Sequence, residues 1–101
     1  MIENESFLKI IGFANRAHKL TLGATATSVA LQKRQLVLII IAEDLSRNAF
    51  SKIQSGLEHN RIPVITLGTK RDWGHFFGRS ELGIVGIKDA NFSKSLQKML
   101  G

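Results

Sequence analysis

Seven consecutive apolar residues, Leu36 to Ala42 (LVLIIIA), restrict the fold more than any other stretch of the chain. The run does not alternate between apolar and polar side chains. It is rich in β-branched residues, with Lys33 and Arg34 before it and Glu43 and Asp44 after it. A strand with one wet face would alternate, so this one is expected to be buried on both faces. A buried helix is the competing reading. Seven residues are short for a helix, and three successive isoleucines favour extended chain. The rest of the sequence must supply the layers that cover this strand.

Those layers are legible as helices. From Glu5 to Ala17, the residues Phe7, Leu8, Ile10, Ile11, Ala14 and Ala17 recur at helical spacing, with Asn4 or Ser6 as the cap. This helix should stop near His18, a position that glycine fills more easily. Lys19 to Leu22 reads as a short strand that Gly23 interrupts. Thr25 to Arg34 is expected as a second helix with Ala26, Val29 and Ala30 inward. Asp44 or Ser46 can cap a third helix running to about His59, with Ala49, Phe50, Ile53 and Leu57 inward and Asn60 at its end. Gly56 inside it costs about 1 kcal/mol relative to alanine, which points to close packing there. Pro63 opens a strand to Leu67, a position a strand tolerates. Lys70 to Gly78 is a short helix with Trp73, Phe76 and Phe77 on one face. Leu82 to Ile87 is a fourth strand. Asp89 or Asn91 caps a last helix, Phe92 to Leu100. Strands alternating with helices imply an α/β fold, a three-layer α-β-α sandwich.

The 101 residues are expected to form one domain spanning 1–101, with a single modest core. There is no cysteine, which excludes thiolate metal sites and fits a reducing, cytoplasmic setting. No secretory signal is visible at the N-terminus, and no apolar run approaches the ~20 residues of a membrane span. Fourteen Lys and Arg against eight Asp and Glu give a net charge of +6. That balance suits a nucleic-acid partner, and equally suits a soluble protein with a solvated basic face.

Few residues suggest catalysis. Gly23 stands between a strand and a helix start, where backbone N–H groups can bind phosphate, but a turn glycine without a ligand is an equally good reading. No G-x-G-x-x-G surrounds it, and Gly68-Thr69-Lys70 lacks the spaced glycine of a phosphate loop. Glu43 and Asp44 close the central strand, where ligands of open α/β sheets often lie. Neighbours on a strand point to opposite faces, and no second acidic cluster supports a metal. Asp44 is therefore read as a helix cap, and Glu43 as a loop or partner residue. His18, His59 and His75 form no paired metal motif. Trp73, Phe76 and Phe77 have core spacing, although bare aromatics can stack on bases. The sequence supports a non-enzymatic protein with no cofactor or metal.

Four segments together resemble a known family: FLKIIGFANRAHKLTLG (Phe7 to Gly23), LVLIIIAED (Leu36 to Asp44), RIPVITLGTK (Arg61 to Lys70) and WGHFFGRSELGIVGI (Trp73 to Ile87). With the 19-residue interval from Gly23 to Ala42, they resemble the ribosomal L-seven-Ae/L-thirty-e family, which recognises kink-turn RNA, and most closely its bacterial ribosomal-protein-like members. The resemblance implies an α-β-α sandwich around a four-stranded mixed sheet. It implies structured RNA, kink-turn-like or ribosomal, as the partner. The RNA edge would comprise the loop and helix start from Gly23 to Val29, with Gly23, Ala24, Thr25 and Ala26 foremost, the strand end at Glu43 and Asp44, and the loop around Arg79 to Leu82, which holds Ser80. Lys19, Lys33, Arg34 and Arg47 would supply further charge. The family's readers are Gly-x-Asn-Glu followed by a lysine three positions later. Here those positions hold Thr25, Ala26 and Val29, so the amide, the carboxylate and the ammonium are absent. The smoother apolar edge left behind suggests, as the alternative, a protein partner at the same place.

Overall fold

The computed structural model describes residues 2–100. Helix α1 (Glu5–Arg16) leads to strand β1 (Leu20–Leu22) and helix α2 (Ala24–Gln32). Strand β2 (Leu38–Ile41), helix α3 (Arg47–Asn60) and strand β3 (Val64–Thr66) follow. The chain closes with α4 (Lys70–Phe76), β4 (Ile84–Ile87) and α5 (Ala90–Leu100). The strands form one mixed sheet in the order β1-β4-β2-β3. β4 runs antiparallel to both β1 and β2, while β2 and β3 are parallel.

The apolar run is the centre of this sheet, as expected. Leu38, Ile40 and Ala42 point into one core with Phe7 and Ile11 of α1, Trp73 of α4 and Leu96 of α5. Leu36 and Ile39 point into the other with Ala30 and Leu31 of α2 and Ile53 and Leu57 of α3. Burying both faces removes any need for alternation. β3 is an edge strand, as β1 is on the other side, and exposes Val64 and Thr66. Pro63, which cannot donate to a ladder, sits at the start of that edge.

The ends of the helices follow local chemistry. Asn4 caps α1 by accepting from Phe7 N–H, and Ser46 caps α3 by accepting from Ala49 N–H. Asp89 Oδ1 accepts from the N–H groups of Asn91 and Phe92 at the start of α5. His18 is left-handed, with φ 57°, where the first helix was expected to stop. At Gly56 a Cβ would stand 3.0 Å from Leu31 Cβ, the close approach of α3 to α2 that the glycine suggested.

Two expectations need correction. Ala26 and Val29 do not face inward. The buried residues of α2 are Thr27, Ala30 and Leu31, because Thr27 turns its hydroxyl toward Thr21 of β1, 3.0 Å away. Val29 is left 45% exposed. The aromatic face of α4 also divides. Trp73 is buried and donates its indole N–H to Leu67 O at 2.8 Å, whereas Phe76 lies at the surface, its ring edge-on to both Trp73 and Phe77.

Candidate nucleic-acid interface

One end of the sheet gathers the residues of interest, and strand direction is the reason. β1 and β2 both finish there, and β4, running the other way, begins there. The Gly23 turn, the Glu43 turn and the loop before β4 therefore stand side by side. Hydrogen bonds tie them. Gly23 N–H donates to Ile84 O at 2.8 Å, Ala42 N–H to Gly83 O at 2.9 Å, and Glu43 N–H to Gly68 O at 2.7 Å.

Gly23 has φ 92° and ψ 167°, a conformation that side chains resist. It lets β1 turn directly into α2. No side chain caps this helix, in contrast to α1, α3, α4 and α5. The first intrahelical bond here runs from Thr27 N–H to Gly23 O at 3.1 Å. The N–H groups of Ala24, Thr25 and Ala26 precede it at the positive end of the helix dipole. Thr25 and Ala26 are exposed. The buried Thr21–Thr27 hydroxyl pair pins this turn to the sheet from below.

The loop from Gly78 to Gly83 is the second wall. Arg79 N–H donates to Gly74 O at 2.7 Å and Leu82 N–H to Lys70 O at 2.9 Å, so both ends of the loop are fastened to α4. Gly74 has no room for a side chain, since a Cβ would lie 2.8 Å from Glu81 Cα and from Ser80 O. Arg79 lines a groove with Leu22 of β1 and Ala26 and Val29 of α2. Ser80 is exposed on the same loop.

Glu43 and Asp44 diverge. Asp44 Oδ1 accepts from Lys70 N–H at 2.8 Å, so Asp44 is a helix cap, but of α4 rather than α3. Glu43 is exposed and borders a depression with Arg47 and Phe50 at the start of α3. Lys70 Nζ lies 3.7 Å from Glu81, an exposed pair of small energetic weight. α4 carries the capping box Thr69–Asp72, and Thr69 N–H, then the Thr69 hydroxyl, hold the Asp72 carboxyl below its usual pKa of 3.8. No group of three His, Asp or Glu able to hold a metal ion occurs among the described residues, and none of the helices is long and apolar enough to cross a membrane.

Gly23, Ala24, Thr25, Ala26, Glu43, Arg47, Arg79 and Ser80 thus come to one end. Lys19 and Lys33 do not. Lys19 precedes β1 and Lys33 follows α2, which places both at the opposite end of the sheet. Asp44 as the staple between the Glu43 turn and α4 had no signal in the sequence beyond its capping chemistry.

The family model for the ribosomal protein L7Ae/L30e/S12e/Gadd45 family matches residues 5–97. The chain belongs to this family. An Enterococcus faecium protein named RNA-binding protein YlxQ is 24% identical over 93 residues, covering 92% of this chain and 89% of the relative. A Bacillus halodurans protein of unknown function superposes with a TM-score of 0.83 at 30% identity, over 97% of this chain and 98% of the other. The Giardia lamblia 15.5kD RNA binding protein superposes with a TM-score of 0.74 at 17% identity, over 99% and 89%. The last likeness is one of fold, and with it the α/β sandwich around a four-stranded mixed sheet is the family's architecture.

Proposed function

We propose that this protein binds structured RNA, kink-turn-like or ribosomal, without catalysing a reaction. The observation that carries this reading is the uncapped start of α2, placed beside the Arg79 loop at one end of the sheet. Family membership and the name of the Enterococcus faecium relative support it. The N–H groups of Ala24, Thr25 and Ala26 offer donors to phosphate, and Arg79 and Arg47 neutralise flanking phosphates. Thr25 keeps one hydroxyl that can donate or accept at a base edge. Ala26 and Val29 offer no polar group, so base readout is weak and backbone contact dominates.

Filter binding with three RNAs tests this: an intact kink-turn, the same RNA with its G·A pairs disrupted, and a plain duplex. Binding should fall with salt at a log–log slope of roughly 0.7–0.9 per phosphate contacted. Arg79→Gln should make that slope shallower by about one contact. A preference for the intact kink-turn would mean that Thr25 and the Gly23 backbone suffice for shape selection. Binding that ignores salt, or no binding to any of the three, refutes the proposal. The second reading, a protein-docking edge, draws on the exposed Val29 in the groove with Ala26 and Leu22. It gains only if RNA binding is absent.

A further inference from the structure

The turns at the other end of the sheet are basic. α1, α2 and α3 all run toward that end, and beyond each helix stands a basic residue in left-handed conformation: His18 at φ 57°, Arg34 at φ 55° and Arg61 at φ 53°. Glycine takes this position at lower backbone cost. Lys19 and Lys88 meet in the same set of turns, where Lys88 N–H donates to Lys19 O at 2.8 Å. The carboxylates of Glu43, Asp44, Asp72 and Glu81 lie at the Gly23 end instead, and Glu58, in the last turn of α3, is the exposed carboxylate that shares the basic end without lining the α2–α3 groove. Asp89, near Lys88, is occupied as the cap of α5.

Between α2 and α3 a groove of about 300 Å³ carries this charge inward. Arg34, Lys52 and His59 border it, Ser28, Ser55 and Gln32 add hydroxyl and amide groups, and no carboxylate lines it. Its floor is the contact of Gly56 with Leu31. Asn60 closes one side, with its Nδ2 hydrogens donated to Gly56 O at 2.7 Å and Leu31 O at 3.2 Å. Cations from two elements, with hydroxyls between them, match the oxygens of a phosphodiester chain. Compensation of helix dipoles explains one charge near each helix end. It does not explain Lys52, which lies in the first half of α3.

We propose that the α2–α3 groove and the basic turns beside it hold the phosphate backbone of a second RNA segment, so that one molecule grips RNA at both ends of its sheet. This rests on the RNA-binding reading and adds a surface to it. The α2–α3 groove shares no lining residue with the groove of Arg79, Ala26 and Val29, so each would contact its own stretch of backbone.

The test uses the full chain and a 20-base-pair RNA duplex, with Arg34→Gly/Lys52→Gln, Lys52→Gln alone and Arg79→Gln. Arg34→Gly relieves a left-handed residue, so the melting temperature should stay or rise. Duplex affinity at low salt should fall several-fold in the double variant, and the log–log salt slope should become shallower by roughly 1.4–1.8. Lys52→Gln, an exposed helix position, should give about half that change. In the parent protein, the amide resonances of Ser55, Gly56 and His59 should shift on duplex addition. An unchanged slope and affinity in the double variant, while Arg79→Gln weakens binding, overturns the second contact and leaves the Gly23-end reading standing. A parent protein that binds no RNA at any salt overturns both.

Discussion

The buried hydroxyl pair beneath the Gly23 turn gives a sharp test of how that end of the sheet is held. Thr21 Oγ1 and Thr27 Oγ1 are 3.0 Å apart, with Thr27 fully buried and Thr21 8% exposed. A Cβ on Gly86, the cross-strand neighbour of Thr21, would overlap the Thr21 hydroxyl, so nothing else fits beside the pair. Valine has nearly the volume of threonine and leaves no cavity. Thr21→Val therefore removes one partner and strands the other hydroxyl away from water, at about 1–3 kcal/mol. Thr27→Val does the same from the helix side. The double variant has no stranded group and should lie within about 1 kcal/mol of the parent. With about 2 kcal/mol for each single variant, the two substitutions are thus coupled by roughly 3–4 kcal/mol, the signature of a direct contact. Near the melting point each kcal/mol moves Tm by about 4–8 °C in a chain of this size. Single variants should melt roughly 8–16 °C lower at a cost of ~2 kcal/mol, and the second valine should restore most of the loss. Urea unfolding of the four proteins, with equal m-values as the check on two-state behaviour, measures the cycle. Additivity, with the double variant as unstable as the sum of the singles, would refute the argument. It would mean that the hydroxyls are satisfied separately and do not pin the turn together.

Two further outcomes follow from α4. Gly74→Ala places a methyl against the backbone of Ser80 and Glu81 and should cost roughly 1–3 kcal/mol of stability. It should also shift the amide resonances from Arg79 to Leu82 and weaken RNA binding; unchanged loop resonances would show that the fit is looser than described. Asp72 has a lowered carboxyl pKa in the folded protein, so its capping contribution is present above 3.8 and is lost as pH falls through the lower folded value. Asp72→Asn should be less stable than the parent at neutral pH, with the gap closing in acid; a gap independent of pH would assign the loss to packing.

Topology explains why the Gly23 end gathers these loops. A parallel neighbour would send the chain into β4 from the far end and leave the Arg79 loop remote from Gly23. Because β4 is antiparallel to both β1 and β2, its incoming loop lies between their outgoing ends. Asp44 then fastens α4 to the end of β2, which sets the position of the whole loop.

The sequence by itself determined the elements and the central strand. An unbroken apolar run such as Leu36 to Ala42 has one economical solution, and Asn4, Ser46 and Asp89 announce their helix starts through local hydrogen bonds. Only family resemblance pointed to the proposed RNA edge, because a glycine turn and two separate loops share no local pattern that would associate them. Tertiary structure alone decided which face of α2 turns inward. Ala26 and Val29 are apolar and Thr27 is not, so hydropathy turned them inward with Ala30; Ala30 is buried, but Thr27 takes the place beside it because Thr21 supplies a buried partner. It alone separated Phe76 from Trp73 on one short helix, and it alone sorted the cations by end. Lys19, Lys33, Arg34, Arg61 and Lys88 are scattered through the chain. They come to one side of the sheet only because three helices and a strand deliver their ends there.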